Sequence, residues 1–273
     1  MKLFMARKKY TTWLKKHWQD LAIDGIIALF VLGLIGAGGI FLWVSSLDIP
    51  DLSAFEERKV LQSTKIYDRT GEVLLYDLHQ DVRRTIIPYE DISRHIKNAS
   101  IAIEDDTFFD HVGVRPLAIL RAVLANIRGG GLQQGGSTIT QQVVKNSILA
   151  QEKTITRKVK EVILAIRLEQ ELEKEEILSH YLNESPYGGT IYGVEEASQS
   201  FFGKSAADVS LAEAAYLAAL PQSPTRYSPY GNNKDLLDAR QRLVLDRMLL
   251  NNFVTQEEYD AAVAEEVKFQ PQR

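Results

Sequence analysis

Cysteine is absent from the 273 residues, so there is no disulfide framework, no thiolate metal site and no redox signature from this residue type. A basic excess is missing too. Against 32 Lys and Arg stand 36 Asp and Glu, a formal net charge of −4, which gives no bulk electrostatic case for a nucleic-acid partner. No internal repeat and no low-complexity tract interrupts the chain. Strand signals are few and lie between Thr64 and Ile87. What remains, 45% hydrophobic and 25% charged, is the composition of a globular protein with one apolar excess, long enough for one large domain plus an anchor.

The apolar excess lies near the N-terminus. Residues 1–20 carry Lys2, Arg7, Lys8, Lys9, Lys15 and Lys16 against the single acid Asp20. Ile26 to Val44 then runs without any charge, about 19 residues and close to the ~20 that span a hydrocarbon core. A secretory signal has a shorter apolar core, of about 7 to 15 residues. The run also continues past Ala37-Gly38-Gly39 through Phe41, Leu42 and Trp43, so an uncleaved transmembrane helix over 21–45 is expected. Six cations precede it and Asp48 and Asp51 follow, which places the N-terminus in the cytoplasm and everything after about residue 45 outside.

A linker is expected over 46–60, around Pro50. Thr64 to Arg69 and Val73 to Leu78 flank Thr70-Gly71, a strand-turn-strand signal, and a third extended run, Val82 to Ile87, ends at Pro88. This small sheet is expected to be the only one. From Ser93 onward the spacing predicts helix after helix. Arg115 to Arg128 closes at three glycines, and Lys174 to Asn183 and Asp235 to Leu250 are amphipathic. Ser210 with Glu213 and Thr255 with Glu258 form capping boxes, with Pro221 stopping the first of those helices after Leu220. Phe269 to Gln272 reads as an unstructured end.

Three stretches carry chemistry. Glu104 to Gly113 packs four acids, two Phe and a His into ten residues. On a continuing helix Glu104, Phe108 and His111 fall on one face, because i, i+4 and i+7 stack. A carboxylate walled by a ring and capped by an imidazole is a candidate general acid or base; the plainer reading is a solvated acidic helix end. Gly135-Gly136-Ser137-Thr138 then feeds a helix whose Thr138 and Gln141 match a capping box. Its start would present free N–H groups and a positive dipole end to a phosphate, with Gln142, Lys145 and Asn146 down the same face. A well-capped structural helix explains the cap equally well. Finally, Arg157 and Glu161 at i, i+4 form a surface ion pair, or Lys158 and Glu161 at i, i+3 pair a phosphate-binding cation with a second carboxylate.

Together these residues resemble the family 51 peptidoglycan glycosyltransferases, the polymerase module of class A penicillin-binding proteins and of monofunctional transglycosylases. The match rests on ED-x-x-F-x-x-H-x-G at 104–113, GGSTITQQ at 135–142, RK-x-x-E at 157–161 and the K-x-x-IL-x-x-YLN type at 174–183, in the family's order. The resemblance implies a mainly α, lysozyme-like helical domain over 61–262 with a small β-containing jaw subdomain near the membrane. It implies polymerisation of lipid II into β-1,4 glycan strands, with inversion and loss of undecaprenyl pyrophosphate. Glu104 would be the general base and Glu161 the second carboxylate, assisting at the pyrophosphate with a divalent cation, Mg or Mn. Arg157 and Lys158 would meet the phosphate charge. Ser137, Thr138, Gln142, Lys145 and Asn146 would line the donor side, and Asp105, Phe108 and His111 would support the base. Expected partners are lipid II, the growing strand, the bilayer and other cell-wall synthesis and division proteins; no organic cofactor and no nucleic acid are expected.

Two departures from the family pattern stand out. The late helix reads Arg240-Gln241-Arg242-Leu243, with one Arg displaced, and Pro186 with Tyr187 holds the usual aromatic position after Asn183. Neither is expected to touch the base. The Ser-x-x-Lys and Lys-Thr-Gly motifs of a transpeptidase are absent, and residues 263–273 resemble the junction to such a domain, so the sequence is expected to be a piece of a bifunctional protein. The competing readings are a lytic glycan hydrolase, disfavoured because it has no pyrophosphate to hold, and a catalytically silent membrane-anchored scaffold.

Overall fold

A computed structural model describes residues 2–50, 52, 55, 64–70, 74–78, 82–118, 121, 136–149 and 154–271; of residues 2–17, 19–21, 64–67 and 74–78 it describes the backbone alone. The expected helix over Arg115 to Arg128 and its glycine exit therefore lie largely outside the described residues. The chain divides into two compact units, Met1–Asp48 and Ile49–Arg273.

The first unit is one helix, α1 (Lys2–Ser45). Its segment Ala22–Ser45, 24 residues of mean hydropathy 2.5 with none of it buried, is long and apolar enough to cross a membrane.

The second unit begins with two antiparallel strands, β1 (Thr64–Tyr67) and β2 (Leu74–Leu78), in register Thr64 to Leu78 with an irregularity at Ile66/Tyr67. The expected hairpin is there. The third extended run does not join it. β3 (Arg83–Arg84) instead pairs in parallel with a later strand, in a second sheet described below. Ile49, Leu52 and Phe55, expected in a linker, pack on the hydrophobic core.

Helices then build the core. α2 (Arg94–Glu104) opens at Ser93, whose side chain accepts the His95 N–H, and buries Ile96, Ala99, Ser100, Ile101 and Ala102. α3 (Ile139–Ser147), α4 (Ile155–Glu171) and α5 (Lys174–Glu184) follow, with α3 packed against both α4 and α5. Two short strands not foreseen in the sequence follow, β4 (Pro186–Gly188) and β5 (Ile191–Tyr192). The sheet order is β3-β5-β4, so its three short strands come from two places in the chain. Strands of two and three residues are too brief for any alternation to show in sequence.

α6 (Val194–Phe202), α7 (Leu211–Ala219), α8 (Lys234–Leu250) and α9 (Gln256–Ala264) complete the unit. Every residue of α7 is buried, and its Ala-rich surface lets α2 and α8 approach closely. The capping boxes at Ser210/Glu213 and Thr255/Glu258 are both formed.

The expected unstructured end is docked. Phe269 lies edge-on to Tyr216 with ring centres 5.1 Å apart and packs on Phe202 at 5.4 Å. The Gln270 N–H donates to the Phe201 carbonyl at 2.7 Å, and the Tyr230 hydroxyl donates to the Gln270 carbonyl at 2.8 Å. Aromatic rings of α6 and α7 are what this segment covers.

Candidate active site

Glu104 is the last residue of α2, its side chain 12% exposed. Gln142 Nε2 donates to its Oε2 at 2.7 Å, and Arg240 Nη2 donates to its Oε1 at 3.3 Å. Burial pushes its carboxyl above the usual carboxylate range. The Gln142 hydrogen bond and the charges of Arg240 and Lys145 pull the other way, and Asp105 adds to the rise. Desolvation wins over its cations, so this carboxylate can take a proton nearer neutrality than an exposed Glu.

The cause differs from the one read in the sequence. The helix does not continue: Asp105, at φ −159° and ψ 75°, leaves it, and Phe108–Asp110 forms a separate 3-10 turn. The expected common face of Glu104, Phe108 and His111 therefore does not form. His111 Nε2 lies instead 2.9 Å from Asp105 Oδ2, and its Nδ1 is 3.9 Å from Glu169. Phe108 is a core residue, its ring centre 6.2 Å from that of His111, with the Lys174 ammonium 4.6 Å above it.

Asp105 is fully buried and takes three donors: His111, the Ile139 N–H at 3.1 Å and Arg115 at 3.4 Å. It fastens the loop after α2 to the first turn of α3. Thr138 strengthens that join by donating to the Gly113 carbonyl at 2.6 Å.

The start of α3 corrects a second expectation. The Ile139 N–H is on Asp105, the Gln141 N–H on the Thr138 hydroxyl, and the Thr138 N–H on the Gln141 side chain, in the capping box expected there. These amides are satisfied inside the protein, so the cap is structural. What could meet an anion here is side chains. Lys145 and Asn146 are exposed on α3, and Ser137 accepts from Lys158 Nζ at 2.8 Å.

On α4, Lys158 also pairs directly with Glu161, which is 1% exposed, while Arg157 Nη1 lies 3.7 Å from the other Glu161 oxygen. Glu161 is thus paired at i−4 and at i−3, but the Arg157 pair is not the surface ion pair expected, because Glu161 is buried. A buried carboxylate flanked by two cations retains net positive charge for an incoming anion. α3 joins the two acids, because Ser137 before its N-cap reaches the Lys158–Glu161 turn and Gln142 reaches Glu104.

Several residues were not legible beforehand. Arg240, expected to be clear of the base, contacts it. Lys174 donates to the His111 carbonyl at 2.6 Å and to both oxygens of Glu169 at 2.8 Å, and Thr140 donates to Glu169 too, so a buried network locks the loop to α3, α4 and α5. Tyr181 lies close enough for Glu104 to add to the upward push that burial exerts on its hydroxyl. Asn183 splints the extended run before α2, accepting the Ile87 N–H at 3.1 Å and donating to its carbonyl at 3.0 Å. An amphipathic pattern identifies such helices but not the partners of their polar faces.

The transglycosylase family model matches residues 71–249. Penicillin-binding protein 1A of Aquifex aeolicus is 42% identical over 243 residues, 89% of this chain and 32% of that protein. The same-named protein of Neisseria flavescens is 37% identical over 92% of this chain and 31% of its own length, and penicillin-binding protein 1A/1B of Bacillus subtilis 39% over 89% and 26%. This chain thus spans about a third or less of the relatives' length. Among solved structures, penicillin-binding protein 1A from Haemophilus influenzae aligns over 78% of this chain and 22% of its own at 23% identity and TM-score 0.43, so the fold described above rests on this chain's own elements. With the family model matching residues 71–249, more than half of the chain, the chain belongs to the transglycosylase family.

Proposed function

We propose that this chain is a peptidoglycan glycosyltransferase that polymerises lipid II into β-1,4 glycan strands. The observation that carries the reading is the buried Glu104 at the end of α2, bonded to Gln142 of α3, the helix whose preceding Ser137 accepts from the Lys158 that pairs with Glu161. Glu104 takes the proton of the acceptor sugar's 4-hydroxyl as that oxygen bonds to the donor's anomeric carbon. The bond from that carbon to the lipid diphosphate breaks on the opposite side, inverting the centre, and undecaprenyl pyrophosphate leaves with the electron pair. One base and an electrostatically stabilised leaving group suffice for such a step. Lys158 and Arg157, with exposed Lys145, supply the positive charge; Glu161 orients Lys158.

A divalent cation, Mg or Mn, fits the protein's donor set poorly. Glu161 is a single buried carboxylate already paired with two cations, and among the described residues no three His, Asp or Glu side chains cluster as ligands. No step is derived through a metal. If one takes part, diphosphate oxygens supply most of its ligands, and loss of activity in Glu161→Ala should then depend on metal concentration.

The apolar helix and the penicillin-binding relatives support a membrane anchor. The cations ahead of it support a cytoplasmic N-terminus, with the enzyme unit outside, where a lipid-linked substrate is at hand. Labelled lipid II, incubated with the chain and separated on a gel, should give a ladder of longer glycan that Glu104→Gln abolishes. Shortening of preformed glycan would favour the hydrolase; wild-type rates from Glu104→Gln would remove Glu104 as the base.

A further inference from the structure

Arg240 is held at three points. Its Nε donates to the Ala219 carbonyl at 2.9 Å, its Nη2 reaches Glu104, and its guanidinium carbon lies 5.4 Å from the centre of the Tyr227 ring. The first hold follows from chain chemistry. Ala219 ends α7, where the last carbonyls lack helical partners, and the Ser223 N–H that would serve it donates to Leu220 instead. Pro221 begins that turn.

The third hold is built with equal care. The Tyr227 N–H donates to the Ser223 carbonyl at 3.0 Å and its hydroxyl donates to Gln222 at 3.3 Å, so the ring is seated by the same run of turns. A second guanidinium, that of exposed Arg226, lies 5.9 Å from its centre. A phenol face attracts a guanidinium electrostatically and stacks on its plane.

We propose that Tyr227 is a positioning residue: its ring, set in the turn after α7, holds the Arg240 guanidinium against Glu104. The consequence for the reaction rests on Glu104 acting as the base. The charged or titratable groups facing Glu104 are Asp105 at the end of its own helix, Lys145 on α3, Tyr181 on α5 and Arg240 on α8. Of the two cations, Lys145 is exposed and screened by water, whereas the Arg240 side chain is 11% exposed. Arg240 is thus the cation that chiefly offsets the burial of Glu104, beside the Gln142 hydrogen bond. Released from the ring, it turns to solvent about its Ala219 contact, and Glu104 holds a proton to higher pH.

Two measurements on the full chain test this, using wild type, Tyr227→Phe, which keeps the ring, and Tyr227→Leu, which removes it. In the pH dependence of lipid II polymerisation, Tyr227→Leu should lose roughly tenfold in rate on the acid limb and recover at alkaline pH, while Tyr227→Phe follows wild type. In a carbon-13 titration of the Glu104 carboxyl, assigned with Glu104→Gln, the midpoint should rise in Tyr227→Leu alone. An unmoved midpoint overturns the proposal, whatever the rate does. A raised midpoint in a chain that makes no glycan leaves the positioning role standing and removes the glycosyltransferase reading instead.

Discussion

Gln142 Nε2 donates to Glu104 Oε2 at 2.7 Å, so a side chain read from sequence as part of an anion-binding face is bound to the proposed base. Gln142→Leu should therefore act on proton transfer rather than on donor affinity. A hydrogen bond to a charged group is worth about 1.5–3 kcal/mol, and its loss should lower kcat by at least about tenfold with KM for lipid II little changed. A raised KM at constant kcat would return Gln142 to the donor side.

Burial raises the Glu104 pKa, which has a sign for stability. A group whose folded pKa lies above its unfolded value contributes stability that is fully present below the unfolded pKa and lost as pH rises through the folded one. Glu104→Gln removes that loss. Its melting temperature should match wild type in acid and exceed it at alkaline pH; equal melting temperatures throughout would mean that Glu104 is not desolvated.

Asp105 is at the centre of a different test. It accepts from His111, Arg115 and the Ile139 amide with no exposure of its own, and an Asn there would turn an N–H₂ toward donors. Breaking a buried pair of this kind costs about 3–5 kcal/mol. Urea unfolding of Asp105→Asn should show a loss of that order, and a loss below about 1 kcal/mol would make the join between loop and α3 unimportant.

Gly113 has φ +85°, and a Cβ there would lie 2.6 Å from the Ala165 carbonyl oxygen of α4. Backbone on backbone has no flexible end to move. Gly113→Ala should cost about 2 kcal/mol or more, from strain and from the displaced loop together, and should impair polymerisation at temperatures where the chain stays folded. A neutral Gly113→Ala would show that the loop relaxes freely.

Much of the helical architecture was legible because its signals are local. The boxes at Thr138, Ser210 and Thr255 each need only a hydroxyl and a Glu or Gln three residues on, and each forms. Where a reading failed, a local rule was extended past its range. Helical spacing was carried through Asp105, but the buried Asp105 carboxylate breaks the helix to collect three donors, and His111 goes with it. The Val82 to Ile87 run was assigned to its sequence neighbours, but β3 found its partner in β5, more than 100 residues away. Lys174 opens an amphipathic helix and Glu169 is not singled out, because nothing near them in sequence shows that a loop carbonyl and Thr140 are their partners.

The sequence by itself determined the apolar span, the helices with their caps, the two candidate cations for Glu161 one turn away, and the family, since all of these depend on residues within a few positions of one another or on their order. Only the tertiary structure decided what surrounds Glu104. Arg240 meets it across 136 residues because α2 and α8 both pack on the small-residue surface of α7, and the burial that raises its pKa exists only once those helices close over it. Proton affinity in a protein interior is a property of packing, and packing is not written at any single position in the chain.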